Sequence, residues 1–175
     1  SDEKYYIEDN KNKKYLLRIS NGDAYEEKKR EFEVIKKFNI LDFQMSRAID
    51  FGYFNEYKNV YMLLSWVDGH SLREKLPSLP SLEQYKLGLY AGGILKHIHS
   101  IPVEPQDVPS VNKIPKKLLQ LQSYEASSLR IPNDERAIEF VKNNIDMLCK
   151  SSPVYEHGDF HMGNLIYTTN KKVGV

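Results

Sequence analysis

The sequence predicts an α+β fold, and three observations support this prediction. The first third contains strand-like segments around one helical segment, and the middle is mainly helical. From residue 154 onward the sequence returns to short strand-like segments separated by polar turns. Strands and helices that are grouped in this way, rather than alternating regularly, are typical of α+β domains.

Four strands and one helix are predicted in the first third. Aromatic and β-branched residues mark strands at 5–7 and 15–19, and the polar stretch between them predicts a hairpin. A helix is predicted over 24–38, and two more strands at about 47–51 and 60–65. The apolar side of the helix comprises Phe32, Val34, Ile35 and Phe38.

One charged residue interrupts the apolar side of that helix. Glu31 falls at its middle, whereas Glu33 points well away from it. A carboxylate that faces inward without a partner is very costly. The pattern therefore predicts that Glu31 has a charged or hydrogen-bonding partner.

The middle of the chain is predicted to be helical. Ser81 and Gln84 have the spacing of a capping box for a helix that ends near residue 99. The proline-rich stretch 102–115 predicts a loop, and two further helices are expected at about 116–128 and from residue 133 or 134. Pro153 ends the last helix, and strands are predicted at 154–155, 165–167 and 173–175.

Charge and composition exclude several classes of partner. The 25 basic and 24 acidic residues nearly balance, so no net field attracts nucleic acid or a membrane surface. The longest apolar stretch, about 61–67, is too short to span a bilayer. A single cysteine, Cys149, and a charged N-terminus without an apolar segment predict a cytoplasmic location. The oligomeric state stays open.

The segment His157-Gly158-Asp159-Phe160-His161-Met162-Gly163-Asn164 carries the chemistry. It places a carboxylate and, five residues later, a carboxamide on one loop between strands. A carboxylate accepts a hydroxyl proton, and an amide oxygen binds Mg²⁺ near phosphates. Phosphoryl transfer needs this combination, although Asp and Asn are also common in simple polar turns. Gly158 permits backbone conformations that are closed to other residues.

The motif His-Gly-Asp-x-x-x-x-Asn resembles the catalytic loop of aminoglycoside phosphotransferases and of choline, homoserine and fructosamine kinases. These enzymes share the bilobal fold of protein kinases. The resemblance implies a nucleotide-binding N-lobe over residues 1–66, with a small antiparallel sheet and one helix. It implies a mainly helical C-lobe over 67–175, with the catalytic loop at 157–164.

The same resemblance assigns roles to individual residues. Asp159 matches the catalytic base and Asn164 a Mg²⁺ ligand, while His157 and Gly158 are structural. Arg18 takes the place of the phosphate-binding lysine, and its forked guanidinium binds phosphate with a different geometry.

The partner of Arg18 and the base-binding segment also follow from the resemblance. Glu31 matches the helix glutamate that pairs with the phosphate-binding cation, which accounts for its inward position. The backbone groups of Ser65 and Val67 are expected to hydrogen-bond the purine base, and Ile19 and Leu63 to form walls of its pocket.

The resemblance further implies that residues 1–175 are truncated at both ends. A first strand and a phosphate-covering loop are expected before Ser1, which is the one residue of that loop expected to be present. A second metal-binding aspartate and the C-terminal helices are expected after Val175. Residues 1–175 alone are therefore expected to be inactive.

The expected function is transfer of the γ-phosphate of ATP or GTP, with Mg²⁺, to a hydroxyl of a small cationic molecule. An aminoglycoside antibiotic is the first candidate, which implies a role in antibiotic resistance. Acidic residues that favour a cationic acceptor are Glu125, Asp134, Glu135 and Glu139. The alternatives are a kinase of homoserine, choline, a macrolide or a ketosamine, and a non-catalytic nucleotide-binding or interaction module.

Overall fold

The computed structural model describes residues 2–108, 113–150 and 152–175. The chain forms two compact units, one comprising Ser1–Ile101 with Glu156–Val175 and the other Pro102–Tyr155. The boundary predicted between residues 66 and 67 falls inside the first unit, so the division into two lobes stays a prediction. Ser1 and part of the predicted loop 102–115 lie outside the described residues.

A four-stranded antiparallel sheet forms the first part of the first unit. Its strands are β1 (Glu3–Glu8), β2 (Lys14–Asn21), β3 (Ala48–Phe54) and β4 (Asn59–Ser65), in the order β1-β2-β4-β3. The predicted hairpin and the two later strands are thereby confirmed. Central strand β2 pairs with both β1 and β4, so that Arg18 lies between Lys4 and Met62.

Helix α1 covers one face of this sheet. It spans Tyr25–Phe38 after a short 3-10 turn at Gly22–Ala24, whose N-terminus is capped by the side chain of Asn21. Phe32 on the helix packs with Met62 and Leu64 on β4 in a buried cluster. Each fully buried apolar side chain of this size contributes about 1.5–3 kcal/mol. The predicted apolar side of the helix therefore holds it against the sheet.

The rest of the first unit contains a second, three-stranded antiparallel sheet. Its strands are β5 (Gly69–Ser71), β6 (Ile166–Thr168) and β7 (Val173–Gly174), in the order β5-β6-β7. Between β5 and β6 in sequence lie helices α2 (Leu72–Lys75) and α3 (Ser81–His99). Strand β5 was not predicted because three mainly polar residues show no periodicity. The strand predicted at 154–155 is absent from the described structure.

The predicted capping box of α3 is wrong. Pro80 is the N-cap residue, so Ser81 is already the first helical residue and makes no side-chain cap. Gln84 instead donates from Nε2 to the carbonyl oxygen of Leu79, at 2.9 Å. Its side chain thus bonds to the turn that precedes the helix rather than to the residue expected to cap it.

The second unit is helical. It contains α4 (Ile114–Glu125) and α5 (Glu135–Asn144), which is followed by a 3-10 helix at Ile145–Cys149. Lys142 on α5 donates to Glu125 on α4 at 2.7 Å, which joins the two helices. In the described part of the chain, every helix is too short or too polar to cross a bilayer.

Candidate active site

The loop 157–164 is anchored at its C-terminal end. It closes with a 3-10 turn at Met162–Asn164, in which the amide of Asn164 donates to the carbonyl oxygen of His161 at 2.9 Å. Directly after the turn, the carbonyl oxygen of Leu165 accepts from the amide of Leu72 at 2.9 Å. Leu165 is buried, so α2 and β6 together hold the end of the loop.

Asp159 and Asn164 are in direct contact. The side-chain nitrogen of Asn164 donates to the Asp159 carboxylate at 2.7 Å and to the Asp159 carbonyl oxygen at 3.0 Å. Both hydrogens of the amide group are thus used, which leaves its oxygen as the group that can bind a cation. The Asp159 side chain is 72% exposed. The carboxylate and the carboxamide thus lie on one loop, as the sequence predicted, and the structure adds that they are in contact.

His161 also faces Asp159. Its Nδ1 accepts a hydrogen bond from the amide of Gly163 at 3.0 Å, and its Nε2 lies 3.3 Å from the carboxylate of Asp159. Because Nδ1 accepts, the proton of the neutral ring is on Nε2, where it faces the carboxylate. The sequence suggested either an exposed side chain or one near the acceptor for His161; its contact with Asp159 was not predicted.

His157 and Gly158 shape the start of the loop. The His157 ring packs edge-on against Phe160, with centroids 5.4 Å apart. Burial lowers the pKa of His157, and the nearby Asp159 carboxylate opposes this shift. Among the described residues its buried Nδ1 has no hydrogen-bond partner, and a structural role for His157 stays a prediction. Gly158 has a φ of 82°, which confirms that the loop needs a glycine there.

A cation from outside the motif lies beside the loop. A methyl group placed on Gly163 would lie 3.2 Å from Nη2 of Arg73, which belongs to α2. The same methyl group would lie 2.7 Å from the ring of His161, so Gly163 permits this close approach. Arg73 carries no sequence signal of its own, because its position depends on how α2 packs against the loop.

The predicted ion pair between the sheet and α1 is present. Nη1 of Arg18 lies 2.6 Å from Oε1 of Glu31. Lys28, one turn earlier on α1, contacts the other Glu31 oxygen at 2.9 Å. The inward position of Glu31 is thus explained by two cations, of which the sequence predicted one.

Asp2 completes this group, which we call the charge cluster: Asp2, Arg18, Lys28 and Glu31. Nε of Arg18 donates to the Asp2 carboxylate at 2.8 Å, and Nη2 of Arg18 also contacts it. Nζ of Lys28 and Oγ of Ser20 each lie 2.8 Å from the other carboxylate oxygen. The exposed fractions of the four cluster side chains are 9%, 18%, 15% and 33%, in chain order.

The pKa of Asp2 reflects this environment. Burial by itself raises the pKa, but hydrogen bonds from Lys28, Ser20 and Arg18 outweigh it and lower the pKa to about 2, from 3.8. The ionised form of Asp2 therefore stabilises the folded protein more than the protonated form does. This stabilisation is fully present above the pKa of the unfolded chain and is lost as the pH falls through the folded-state pKa.

We expect the free energy of unfolding to be more pH-dependent in the wild type than in Asp2→Asn. Between pH 5 and pH 2 the wild type is expected to lose about 2 kcal/mol more, because only it carries the carboxylate with the lowered pKa. Urea unfolding at several pH values measures this difference. Asp146→Asn, at an exposed site, serves as the control, and parallel curves for wild type and Asp2→Asn would contradict the prediction.

The predicted walls of the nucleotide pocket are corrected by the strand register. Arg18 is opposite Met62, on the face covered by α1, because Met62 belongs to the core beneath that helix. Successive side chains of a strand point to opposite faces, so Ile19 lies on the other face. Leu63 lies on that face as well, since it alternates with Met62. The two residues therefore cannot line a pocket on the Arg18 face, where Leu16 lies instead.

The segment after β4 is held from two sides. The amide of Ser65 donates to the carbonyl oxygen of Arg47 at 2.9 Å, and its hydroxyl accepts from the Arg47 amide at 2.8 Å. A methyl group on Gly174 would lie 2.8 Å from Cγ1 of Val67, so β7 packs against this segment. Hydrogen bonding of a purine base by Ser65 and Val67 stays a prediction.

The residues available for a metal ion lie on the loop. Among the described residues, no three or more His, Cys, Asp or Glu side chains form a cluster that could hold a metal ion. The amide oxygen of Asn164 nevertheless fits Mg²⁺, which prefers oxygen ligands and retains water or phosphate oxygens in its shell.

Two of the acidic residues proposed to attract a cationic acceptor are already paired within the second unit. Glu125 contacts Lys142, and Asp134 accepts from Nε of Arg130 at 3.1 Å. Glu135 and Glu139 are exposed on α5. Their role in binding an acceptor stays a prediction.

A kinase-like phosphotransferase combines the two features found here, an Asp-and-Asn loop and a cation held against a helix glutamate. The model of the phosphotransferase enzyme family matches residues 1–175, and the chain belongs to this family. No curated protein matches its sequence.

Several solved structures that share this fold are aminoglycoside phosphotransferases. The GDP complex of aminoglycoside 2'-phosphotransferase-IIIa superposes with a TM-score of 0.63 at 16% identity, covering 98% of this chain and 62% of the other. APH(3'')-Id from Streptomyces rimosus has a TM-score of 0.61 at 13% identity, covering 98% of this chain and 68% of the other. A thermostable mutant of APH(4)-Ia, in a ternary complex with AMP-PNP and hygromycin B, has a TM-score of 0.55 at 14% identity, covering 99% of this chain and 64% of the other.

These similarities confirm the predicted α+β, kinase-like fold. At such low identity they show the fold and not the substrate. The chain spans 62% to 68% of the lengths of the three structures.

Proposed function

We propose that this protein transfers the γ-phosphate of ATP or GTP to a hydroxyl group of a small molecule. The observation that carries the proposal is the contact between Asp159 and Asn164, which joins a proton acceptor to a metal-binding oxygen on one anchored loop. Membership in the phosphotransferase enzyme family supports the same reaction class.

In this proposal Asp159 is the catalytic base. The acceptor hydroxyl donates its proton to the carboxylate while its oxygen forms a bond to the γ-phosphorus. The bond between the γ-phosphorus and the bridging oxygen breaks, and the nucleoside diphosphate leaves. The hydrogen bond from Asn164 and the facing Nε2–H of His161 orient the carboxylate.

Asn164 has a second part in the proposal. Because its nitrogen donates twice to Asp159, its oxygen is left available to bind a cation. Bound Mg²⁺ would neutralise charge on the transferring phosphates. Arg18, held by Glu31, would bind the nucleotide phosphates from the sheet.

We propose an aminoglycoside as the acceptor. Structures of the same fold were solved with streptomycin and ADP, with kanamycin and GDP, and with hygromycin B and AMP-PNP. The exposed Glu135 and Glu139 are consistent with a cationic acceptor.

A nucleotide-binding module without catalysis is the second candidate. One observation favours it: the guanidinium of Arg18 already contacts Asp2 as well as Glu31, so a phosphate must compete with a carboxylate of the chain itself.

The test is acceptor-dependent release of ADP or GDP by the complete gene product, with Mg²⁺ present. The panel comprises streptomycin, kanamycin, hygromycin B, choline, homoserine, a macrolide and a ketosamine. We expect release with at least one aminoglycoside. Nucleotide binding without release on any acceptor would favour the non-catalytic module, and release with another acceptor alone would refute the aminoglycoside assignment.

A further inference from the structure

Three side chains from β2 and α1 converge on the carboxylate of Asp2. The donors are Nε and Nη2 of Arg18, Nζ of Lys28 and Oγ of Ser20. They contact both carboxylate oxygens, and the Arg18 and Lys28 side chains are largely buried. A guanidinium, an ammonium and a hydroxyl directed at one point form an anion-binding site, and phosphate offers more acceptor oxygens than a carboxylate.

Glu31 holds the two cations independently of Asp2. It contacts Nη1 of Arg18 at 2.6 Å and Nζ of Lys28 at 2.9 Å, each through a different oxygen. Without the Asp2 carboxylate, two cations and one carboxylate leave the cluster with a net charge of +1. The site is therefore positioned for an anion even when Asp2 is not bound in it.

Asp2 is placed so that it can leave. Strand β1 begins at Glu3, which pairs with Ile19, and Asp2 precedes the first paired residue. The Asp2 side chain is held in place by contacts of its carboxylate with Arg18, Lys28 and Ser20. Moving the Asp2 side chain therefore breaks no strand pairing.

We propose that Lys28 is a second phosphate-binding cation beside Arg18, that Ser20 adds a hydroxyl donor, and that Asp2 is an internal anion which the nucleotide phosphates displace. This inference rests on the proposed function and deepens it. Binding of the nucleotide then exchanges one anion for another, so Asp2 weakens nucleotide binding while it stabilises the unliganded protein.

The experiment measures binding of ADP and of inorganic tripolyphosphate by calorimetry, in the wild type and in single variants. Lys28→Met is expected to weaken both ligands about tenfold or more, because it removes a charge-assisted hydrogen bond. Lys29→Met removes the same charge from the neighbouring, exposed position and is expected to stay within about twofold of the wild type. Asp2→Asn is expected to bind both ligands about tenfold more tightly, because the competing carboxylate is gone.

The melting temperature separates this role from a purely structural one. Asp2→Asn is expected to melt below the wild type without ligand and to gain more from tripolyphosphate than the wild type does. If Lys28→Met does not fold, Lys28→Arg is expected to restore folding and tripolyphosphate binding, and the Asp2→Asn result decides independently. Unchanged affinity in Lys28→Met, or Asp2→Asn that binds no more tightly than the wild type, would overturn the proposal.

The two proposals fail in different ways. Lys28-dependent binding of tripolyphosphate in a protein that releases no ADP on any acceptor would leave the phosphate site standing and refute the enzyme. If phosphoryl transfer occurs and its rate is unchanged by substitution of Lys28 or Asp2, the enzyme proposal stands and the phosphate site is refuted. Adenosine, which lacks phosphates, is expected to bind equally to the wild type and to Lys28→Met.

Discussion

Replacing Asp159 with alanine is expected to lower kcat about 10³-fold in the complete gene product. The physical reason is the loss of the proton acceptor that the loop holds beside Asn164. Nucleotide affinity is expected to change by less than about twofold, because the proposed phosphate contacts lie on β2 and α1. Steady-state kinetics with the best acceptor, and calorimetry with ADP, measure the two quantities.

A matched control is available three residues earlier. Glu156 is exposed and precedes the motif, so Glu156→Ala removes a carboxylate near the loop without touching the Asp159–Asn164 contact. It is expected to keep kcat within about threefold of the wild type. Near-normal turnover in Asp159→Ala would show that another group takes the proton, and the assigned base would be wrong.

Replacing Asn164 with alanine is expected to have the second largest effect, with kcat lower by about 10²-fold. The change removes both the donor that orients Asp159 and the oxygen assigned to Mg²⁺. The Mg²⁺ concentration that gives half-maximal rate is expected to rise about tenfold or more. Rates measured over a range of Mg²⁺ concentrations report this shift.

A second substitution separates the two proposed roles of Asn164, metal binding and orientation of Asp159. Asn164→Asp keeps an oxygen ligand but loses both hydrogens donated to Asp159. It is expected to restore the Mg²⁺ requirement towards that of the wild type while kcat stays low. Met162→Ala, in the same 3-10 turn, controls for disturbance of the loop. An unchanged Mg²⁺ requirement in Asn164→Ala would exclude Asn164 as a ligand.

The two sheets of the first unit are joined close to the proposed site. The amide of Val175 donates to the carbonyl oxygen of Gln44 at 3.0 Å, and the amide of Ser46 donates back to Val175 at 2.9 Å. These bonds attach the end of β7 to the segment before β3. In the same sheet, the central strand β6 pairs with β7 and follows directly from Leu165 and the loop. The backbone thus connects the loop to the sheet that carries Arg18.

The local elements and the motif were predictable from the sequence. Hairpin, helix and paired strands of the first unit follow from side-chain periodicity, which is a local property of the chain. That Asp159 and Asn164 lie on one loop was predictable from their short spacing, whereas their hydrogen bond came from the structure. Glu31 was recognised because an inward carboxylate requires a partner.

The errors arose where a local pattern has more than one structural solution. Ser81 and Gln84 have capping-box spacing, but Pro80 takes the N-cap position and moves the helix start by one residue. Ile19 and Leu63 were assigned to the pocket by resemblance, although strand alternation places Ile19 opposite to Arg18. That alternation was readable from the sequence, and applying it would have excluded Ile19.

The sequence by itself determined the fold class and the Asp159–Asn164 loop, because periodicity and short spacings encode them. It also marked Glu31 as a carboxylate that needs a partner, whereas the choice of Arg18 as that partner followed from the family resemblance. Only the tertiary structure decided that Lys28 and Asp2 join Arg18, and that His161 and Arg73 border the loop. Their neighbours depend on the packing of α1 on its sheet and of α2 against the loop. Contacts between residues far apart in sequence depend on the summed packing of whole elements, which no local pattern records.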